Sequence, residues 1–250
     1  MGAGASAKPS IQPDSVGVFT GAVGAETAAA GPTGAGEPVR TIVIDMPDAG
    51  QAAVYAGLRA PSRTDGDYYA LEIANAILGG GSSGRLFEEV RTKRSISYGA
   101  GSGLITDRLV ASSQTQNATA DEVVQVFLDE FDRLGSEAVA DDLLNRRRLY
   151  LGGNYARSLE TSGGFNAIVA NLILDGQEPA EAARYADRLQ AVSPEAAAKA
   201  AADYVTADKA SIIVVGNAAE FLDDLRAIRP DVEVIPAASL DLSSKDLGLD

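Results

Sequence analysis

Arg91 and Tyr98 stand seven residues apart in a segment, Leu78 to Gly103, ordered as a glycine turn, a short helical stretch, the run Arg91-Thr92-Lys93-Arg94, and Ser97-Tyr98-Gly99 entering a strand. An arginine near a helix end and a tyrosine near a strand start can converge on one pocket wall, as a fixed cation and a phenolic donor. Such a pair hydrogen-bonds a peptide carbonyl and stabilises negative charge as it develops there. The same spacing fits a plainer arrangement, in which Arg91 pairs with Glu88 and Tyr98 is half-buried in a sheet. Just upstream, Gly80-Gly81-Ser82-Ser83-Gly84 has the G-x-S-x-G form of a hydrolase nucleophile turn, which needs a strand before it and a histidine to take the serine proton. Here a helical pattern precedes it and the chain contains no histidine. It is not a phosphate loop either, because Arg85 and Leu86 stand where Lys and Ser/Thr are required. It reads as a tight turn between two helices, with glycine supplying positive φ and Ser82 or Ser83 capping the second helix.

The absence of His and Cys excludes a self-sufficient zinc centre of the usual kind and a thiolate nucleophile. The carboxylate groups Asp121/Glu122, Asp129/Glu130/Asp132, Asp141/Asp142 and Asp223/Asp224 fall in first turns or on polar helix faces, where they favour the helix dipole or face water. With 35 acidic against 21 basic residues, the net charge of -14 repels phosphate backbones and anionic lipid, so neither nucleic acid nor a membrane surface is an expected partner. The charge would draw in basic peptides, and it also serves solubility. No apolar run approaches the roughly 18 residues of a membrane span, and Met1 to Ser10 lacks the pattern of a secretion signal. The expectation is a soluble chain, with periplasm and cytoplasm both open.

The elements that must position Arg91 and Tyr98 follow from periodicity. Residues 1–39 are Gly-, Ala-, Ser-, Pro- and Thr-rich and read as a linker or arm, with one strand at Val16–Thr20. Residues 40–218 read as one α+β domain. Strands are expected at Thr41–Met46 and Ala52–Leu58, a helix at Asp67–Leu78, a second at about Ser83–Lys93, and strands at Ile96–Ile105 and Arg108–Asn117. Thr119 with Glu122 has capping-box spacing and opens an amphipathic helix running toward Gly135. A helical region from Asp141 to about Leu174 is expected to bend or break at Gly152-Gly153 and Gly163-Gly164. Ser193-Pro194 starts a last long helix, and Ser211–Val215 returns to the sheet as a central strand. Residues 219–250 read as a C-terminal helix and a polar tail. The expected fold is one mainly antiparallel mixed sheet covered by helices on one face.

The stretch 77–94, ILGGGSSGRLFEEVRTKR, with Ser97-Tyr98-Gly99 after it, resembles the family of pitrilysin, insulin-degrading enzyme and the mitochondrial processing peptidase. Ser158-Leu159-Glu160-Thr161 and the stretch 185–215 are similar to the same family, so the resemblance covers about residues 41–216, most of one half-unit. The family pairs homologous halves, and its catalytic half carries H-x-x-E-H on a helix to bind zinc and activate water. At the equivalent helix this chain has Leu71-Glu72-Ile73-Ala74-Asn75. The resemblance therefore implies the non-catalytic half, without cofactor of its own. It expects zinc in an H-x-x-E-H-bearing partner, a heterodimer with that partner, and a peptide as substrate. It implies that Tyr98 hydrogen-bonds the scissile carbonyl and that Arg91 orients the substrate or Tyr98. It also suggests that Gly79, Gly80 and Gly81 contact substrate. The alternative it leaves open is a structural subunit that keeps the fold without proteolysis.

Overall fold

Buried and more exposed residues alternate along 52–59 and 108–115, so one side of each strand faces the core and the other does not, as a half-covered sheet demands. The computed structural model describes residues 38–244 and 247–248. The strands are β1 (Thr41–Asp45), β2 (Ala52–Arg59), β3 (Ser97–Ile105), β4 (Arg108–Thr115), β5 (Ser211–Gly216) and β6 (Val232–Pro236). They form one sheet in the order β3-β4-β2-β5-β1-β6. The pairs β3–β4, β4–β2 and β2–β5 are antiparallel, and β5–β1 and β1–β6 are parallel. The described fold is thus the expected α+β arrangement on a mixed sheet. The arm at 1–37 and the strand expected at Val16–Thr20 lie outside the described residues.

Helices α1 (Tyr68–Gly79), α3 (Ala120–Ser136) and α7 (Pro194–Tyr204) build the core against the buried strand faces. Leu71, Ile73 and Ile77 of α1 and Phe127 and Phe131 of α3 join Val54 and Leu58 of β2 in one apolar cluster. Helix α7 meets that cluster through Ala197, Ala200 and Ala201, whose small side chains let it approach closely. Ser193 caps α7 by accepting from the Ala196 N–H, as its Ser-Pro start predicts. Between α1 and β3 lie α2 (Arg85–Phe87) and a π-helical turn, Glu88–Lys93. Helices α4 (Asp141–Leu159) and α6 (Tyr185–Ala191) reach the same cluster through Leu144 and through Tyr185 and Leu189, α5 (Ser162–Leu174) lies between them in the chain, and α8 (Leu222–Ile228) precedes β6.

Four details differ from the sequence reading. Thr119 does not form a capping box: its hydroxyl meets Thr115 Oγ1 at 2.6 Å and the Gln116 carbonyl at 3.2 Å. Helix α4 runs straight through Gly152 and Gly153, and the break comes at Glu160-Thr161, where Thr161 accepts from the Gly164 N–H. The runs 41–46 and 52–58, which read as two strands joined by a turn at 47–50, are not neighbours in the sheet, because β5 lies between β1 and β2. Finally, β6 adds an edge strand within 219–250, a segment read only as helix and tail. No helix among the described residues is long and apolar enough to cross a membrane.

Gly153 is exposed in the middle of α4, and a Cβ there would meet nothing within 4 Å. Gly153→Ala should therefore stabilise the domain by about 1 kcal/mol, since helical glycine gives up more backbone freedom than alanine. Urea unfolding of the two proteins measures the difference, and a lower midpoint for the variant would show that α4 uses the glycine.

Candidate functional site

Tyr98 reaches solvent because β3 carries an irregularity at its start. Ser97 pairs with Thr115 and the next registered pair is Ala100 with Ser113, three steps along β3 for two along β4. One extra residue is accommodated there, as in a β-bulge. Two buried serines hold it: the Ser97 hydroxyl accepts from the Gly99 N–H at 3.1 Å and donates to the Gln114 carbonyl at 2.5 Å, and Ser113 Oγ lies 2.8 Å from the Gly99 carbonyl. The bulge leaves Ser97 inward and throws Tyr98 out, 85% exposed.

Arg91 arrives from the other side. It sits on the π-helical turn, whose C-terminal end is fastened by the buried carboxylate of Glu89. Glu89 accepts from Lys93 Nζ at 2.5 Å and from Arg94 Nη1. The Arg91 guanidinium lies over the Tyr98 ring, 5.0 Å from its centroid, the geometry of a cation–π contact. The plainer arrangement does not form: Glu88 pairs with Lys93 at 3.4 Å, and Arg91 has no carboxylate partner among the described residues. Arg91 and Tyr98, picked out in the sequence, are brought together.

Beside Tyr98 the open side of β2, β4 and β3 forms a trough of about 460 Å³. Its floor is Ala100, Gly101 and Ser112, with Tyr55 and Tyr98 rising from β2 and β3 and Gln51 and Gln114 at its margin. Gly79, Gly80 and Gly81 do not line it. They lie behind β3, where a Cβ on Gly79 would fall 2.1 Å from the Ser102 backbone nitrogen, and Gly81 has φ of +66°. The first contact shows why α1 must end in glycine against β3, and the second why the turn needs one. Neither Ser82 nor Ser83 caps α2, whose N-cap is Gly84 without a side-chain bond. Instead the buried Arg147 of α4 holds the turn, donating to Ser83 Oγ at 2.8 Å and to the Ser83 carbonyl. Arg147 escaped the sequence reading, since Arg146, Arg147 and Arg148 look alike in a polar helix.

The α1 positions that would bear a zinc ligand set do not fit a metal. Leu71 and Ala74 are fully buried apolar side chains, and Asn75 Oδ1 accepts from Ser102 at 2.7 Å. Glu72 accepts from the Tyr185 hydroxyl at 2.8 Å, and burial pushes its carboxyl above the usual range. No group of three or more His, Cys, Asp or Glu able to hold a metal occurs among the described residues.

The Lys93 hydrogen bond, helped by Arg94, holds the Glu89 carboxyl below the ordinary carboxylate range. A lowered folded pKa means stability that is present above the unfolded value near ~4.3 and lost as pH falls through the folded value. Thermal melts of wild type and Glu89→Gln should thus differ at pH 7, the variant melting lower, with the gap closing below about pH 4. A gap that persists unchanged into acid would show that Glu89 does not fasten the turn as a carboxylate.

Residues 27–151, half of the chain, match the family profile described as the peptidase M16 inactive domain. An uncharacterized zinc protease of Streptomyces coelicolor is 29% identical over 170 residues, 66% of this chain and 37% of that protein. A probable inactive metalloprotease of Bacillus subtilis is 25% identical over 50% of this chain and 30% of its own length. The matched part is thus about a third of either relative's length. Among solved structures, the peptidase M16 inactive domain from Pseudomonas fluorescens shares the fold at a TM-score of 0.62 and 24% identity, over 72% of this chain and 44% of that one. A chain of complex III2 from Candida albicans does so at 0.63 and 16%, over 78% and 50%. The chain belongs to the peptidase M16 inactive-domain family.

Proposed function

We propose that this domain is the substrate-holding, non-catalytic half of a two-part zinc endopeptidase, and that it presents Arg91 and Tyr98 to a peptide bound at its partner's metal. The observation that carries the reading is the cation–π stack itself: a tyrosine 85% exposed, held by an arginine that no carboxylate of the described residues claims. A bare tyrosine on a surface would sample several rotamers, and a guanidinium over its ring restricts them. The Tyr98 hydroxyl donates to the scissile carbonyl oxygen, more strongly as charge collects there. Arg91 supplies positive potential and fixes the ring. A preorganised donor of this kind contributes about 3 kcal/mol to the transition state, a factor of ~10² in rate. The metal and water activation come from a homologous H-x-x-E-H half, because this chain has no imidazole. The Streptomyces relative, called a zinc protease, supports that setting.

A second reading, a structural subunit without proteolysis, draws on the fold shared with the complex III2 chain. The two separate in one assay. Adding an H-x-x-E-H half to this chain should produce cleavage of a fluorogenic peptide, and Tyr98→Phe should lower turnover by tenfold or more while the melting temperature stays unchanged. Turnover equal to wild type would refute the role of Tyr98, and no cleavage by any such pair would favour the structural reading.

A further inference from the structure

The trough beside Tyr98 presents hydrogen-bonding groups without charge. None of the residues that line it is Asp, Glu, Lys or Arg, in a chain with 56 such residues, 21 basic and 35 acidic. Its two inner serines are occupied: Ser97 and Ser113 bond each other at 2.9 Å and hold the bulge. The Ser112 hydroxyl, the Tyr55 and Tyr98 phenols and the Gln51 and Gln114 amides have no partner among the described residues. Tyr55 and Tyr98 stand on β2 and β3 with β4 between them, Tyr55 level with Ser112 and Tyr98 further along, at the irregularity between the Ser97–Thr115 and Ala100–Ser113 pairs. The floor beneath, Gly101 level with Ser112 and Ser112 level with Tyr55, adds little height.

We infer that this trough is a side-chain subsite for an uncharged residue of the bound peptide that both donates and accepts hydrogen bonds, a carboxamide of glutamine or asparagine. The carboxamide gives donors and an acceptor to the Ser112 hydroxyl, the Tyr55 phenol and the Gln51 and Gln114 amides. A lysine there would shed hydration without meeting a carboxylate and would approach the Arg91 cation at the Tyr98 ring. A carboxylate would likewise find no counter-ion among the lining residues. An aliphatic chain would leave the hydrogen-bonding groups unpaired. The inference names the residue class read by the proposed substrate-holding half, and so rests on that reading.

Equilibrium binding tests it without the partner. The ¹⁵N-labelled chain is titrated with acetylated, amidated tripeptides Ala-Xaa-Ala, Xaa being Gln, Leu, Lys or Glu, while the backbone amide signals of Tyr55, Gly101, Ser112 and Gln114 are followed by NMR. The glutamine peptide should shift these signals with an affinity about threefold to tenfold above the other three. Ser112→Leu, which fills the floor, should abolish the shifts. Gln114→Glu, an exposed change that leaves the fold alone, should transfer the preference to lysine. Equal response to all four peptides, a lysine preference in the wild type, or shifts confined elsewhere would overturn the subsite. Because no turnover is read, loss of the Tyr98 catalytic role alone would leave this result standing, and loss of selectivity here would leave the Tyr98→Phe result standing.

Discussion

Among the described residues, helices cover one face of the sheet and leave the other open, and the trough of the candidate site follows from that asymmetry. Val54, Ala56 and Leu58 alternate with Ala53, Tyr55 and Gly57, so a single period of two assigns the first set to the core and the second to the open side. The rule continues on β4, where Ala111 and Ser113 are buried and Ser112 and Gln114 are not. The trough lies where no helix of the described residues packs, and the irregularity in β3 turns Tyr98 out beside it. Burial on the other side supplies the stability: Phe127, Phe131, Leu71, Ile73 and Ile77 are all essentially inaccessible.

Two departures from ideal geometry aim the site. A bulge in β3 and a π-helical turn after α2 each insert one more residue than the regular element holds, and each is pinned by hydrogen bonds to a buried polar side chain. Ser97 and Ser113 pin the first, and Glu89 with Lys93 and Arg94 pins the second. The irregularities face each other, and the contact between them is the guanidinium on the phenol ring. Behind both, the close passage of α1 and β3 at Gly79 and Ser102 and the arginine clasp on Ser83 keep the glycine turn in place.

Much of this was legible in the linear chain, and the failures share a cause. The β-branched or alternating runs 41–46 and 52–58, the helical spacing of Tyr69, Ile73 and Ile77, and the Ser-Pro start of α7 are local signals, and they placed those elements within a residue or two. The pairing of Arg91 with Tyr98 was visible as a spacing and through resemblance, but a spacing cannot tell a stacked pair from a buried tyrosine. The bulge depends on which hydroxyl reaches which carbonyl across two strands. The role of Arg147 depends on a turn 64 residues away. Gly152 and Gly153 misled because helix propensity is weak beside packing, and α4 continues through them. The short Val232–Pro236 segment carries too little periodicity to announce itself, and it becomes a strand because β1 offers it a parallel edge. Asparagine and leucine where the family's zinc helix has histidine were plain from the letters alone.

The insertion of β5 between β1 and β2 has a consequence for biogenesis. Arg40, at the head of β1, and Ser211, at the head of β5, hydrogen-bond across 171 residues of chain. On a ribosome adding 5–20 residues per second, that interval is roughly 10–30 s. For most of it β1 and β2 have been synthesised, yet the strand at the centre of their sheet is still to be translated. Vectorial assembly can complete the β2-β4-β3 meander early, whereas β1 must wait as an apolar strand with both edges bare until its neighbours arrive.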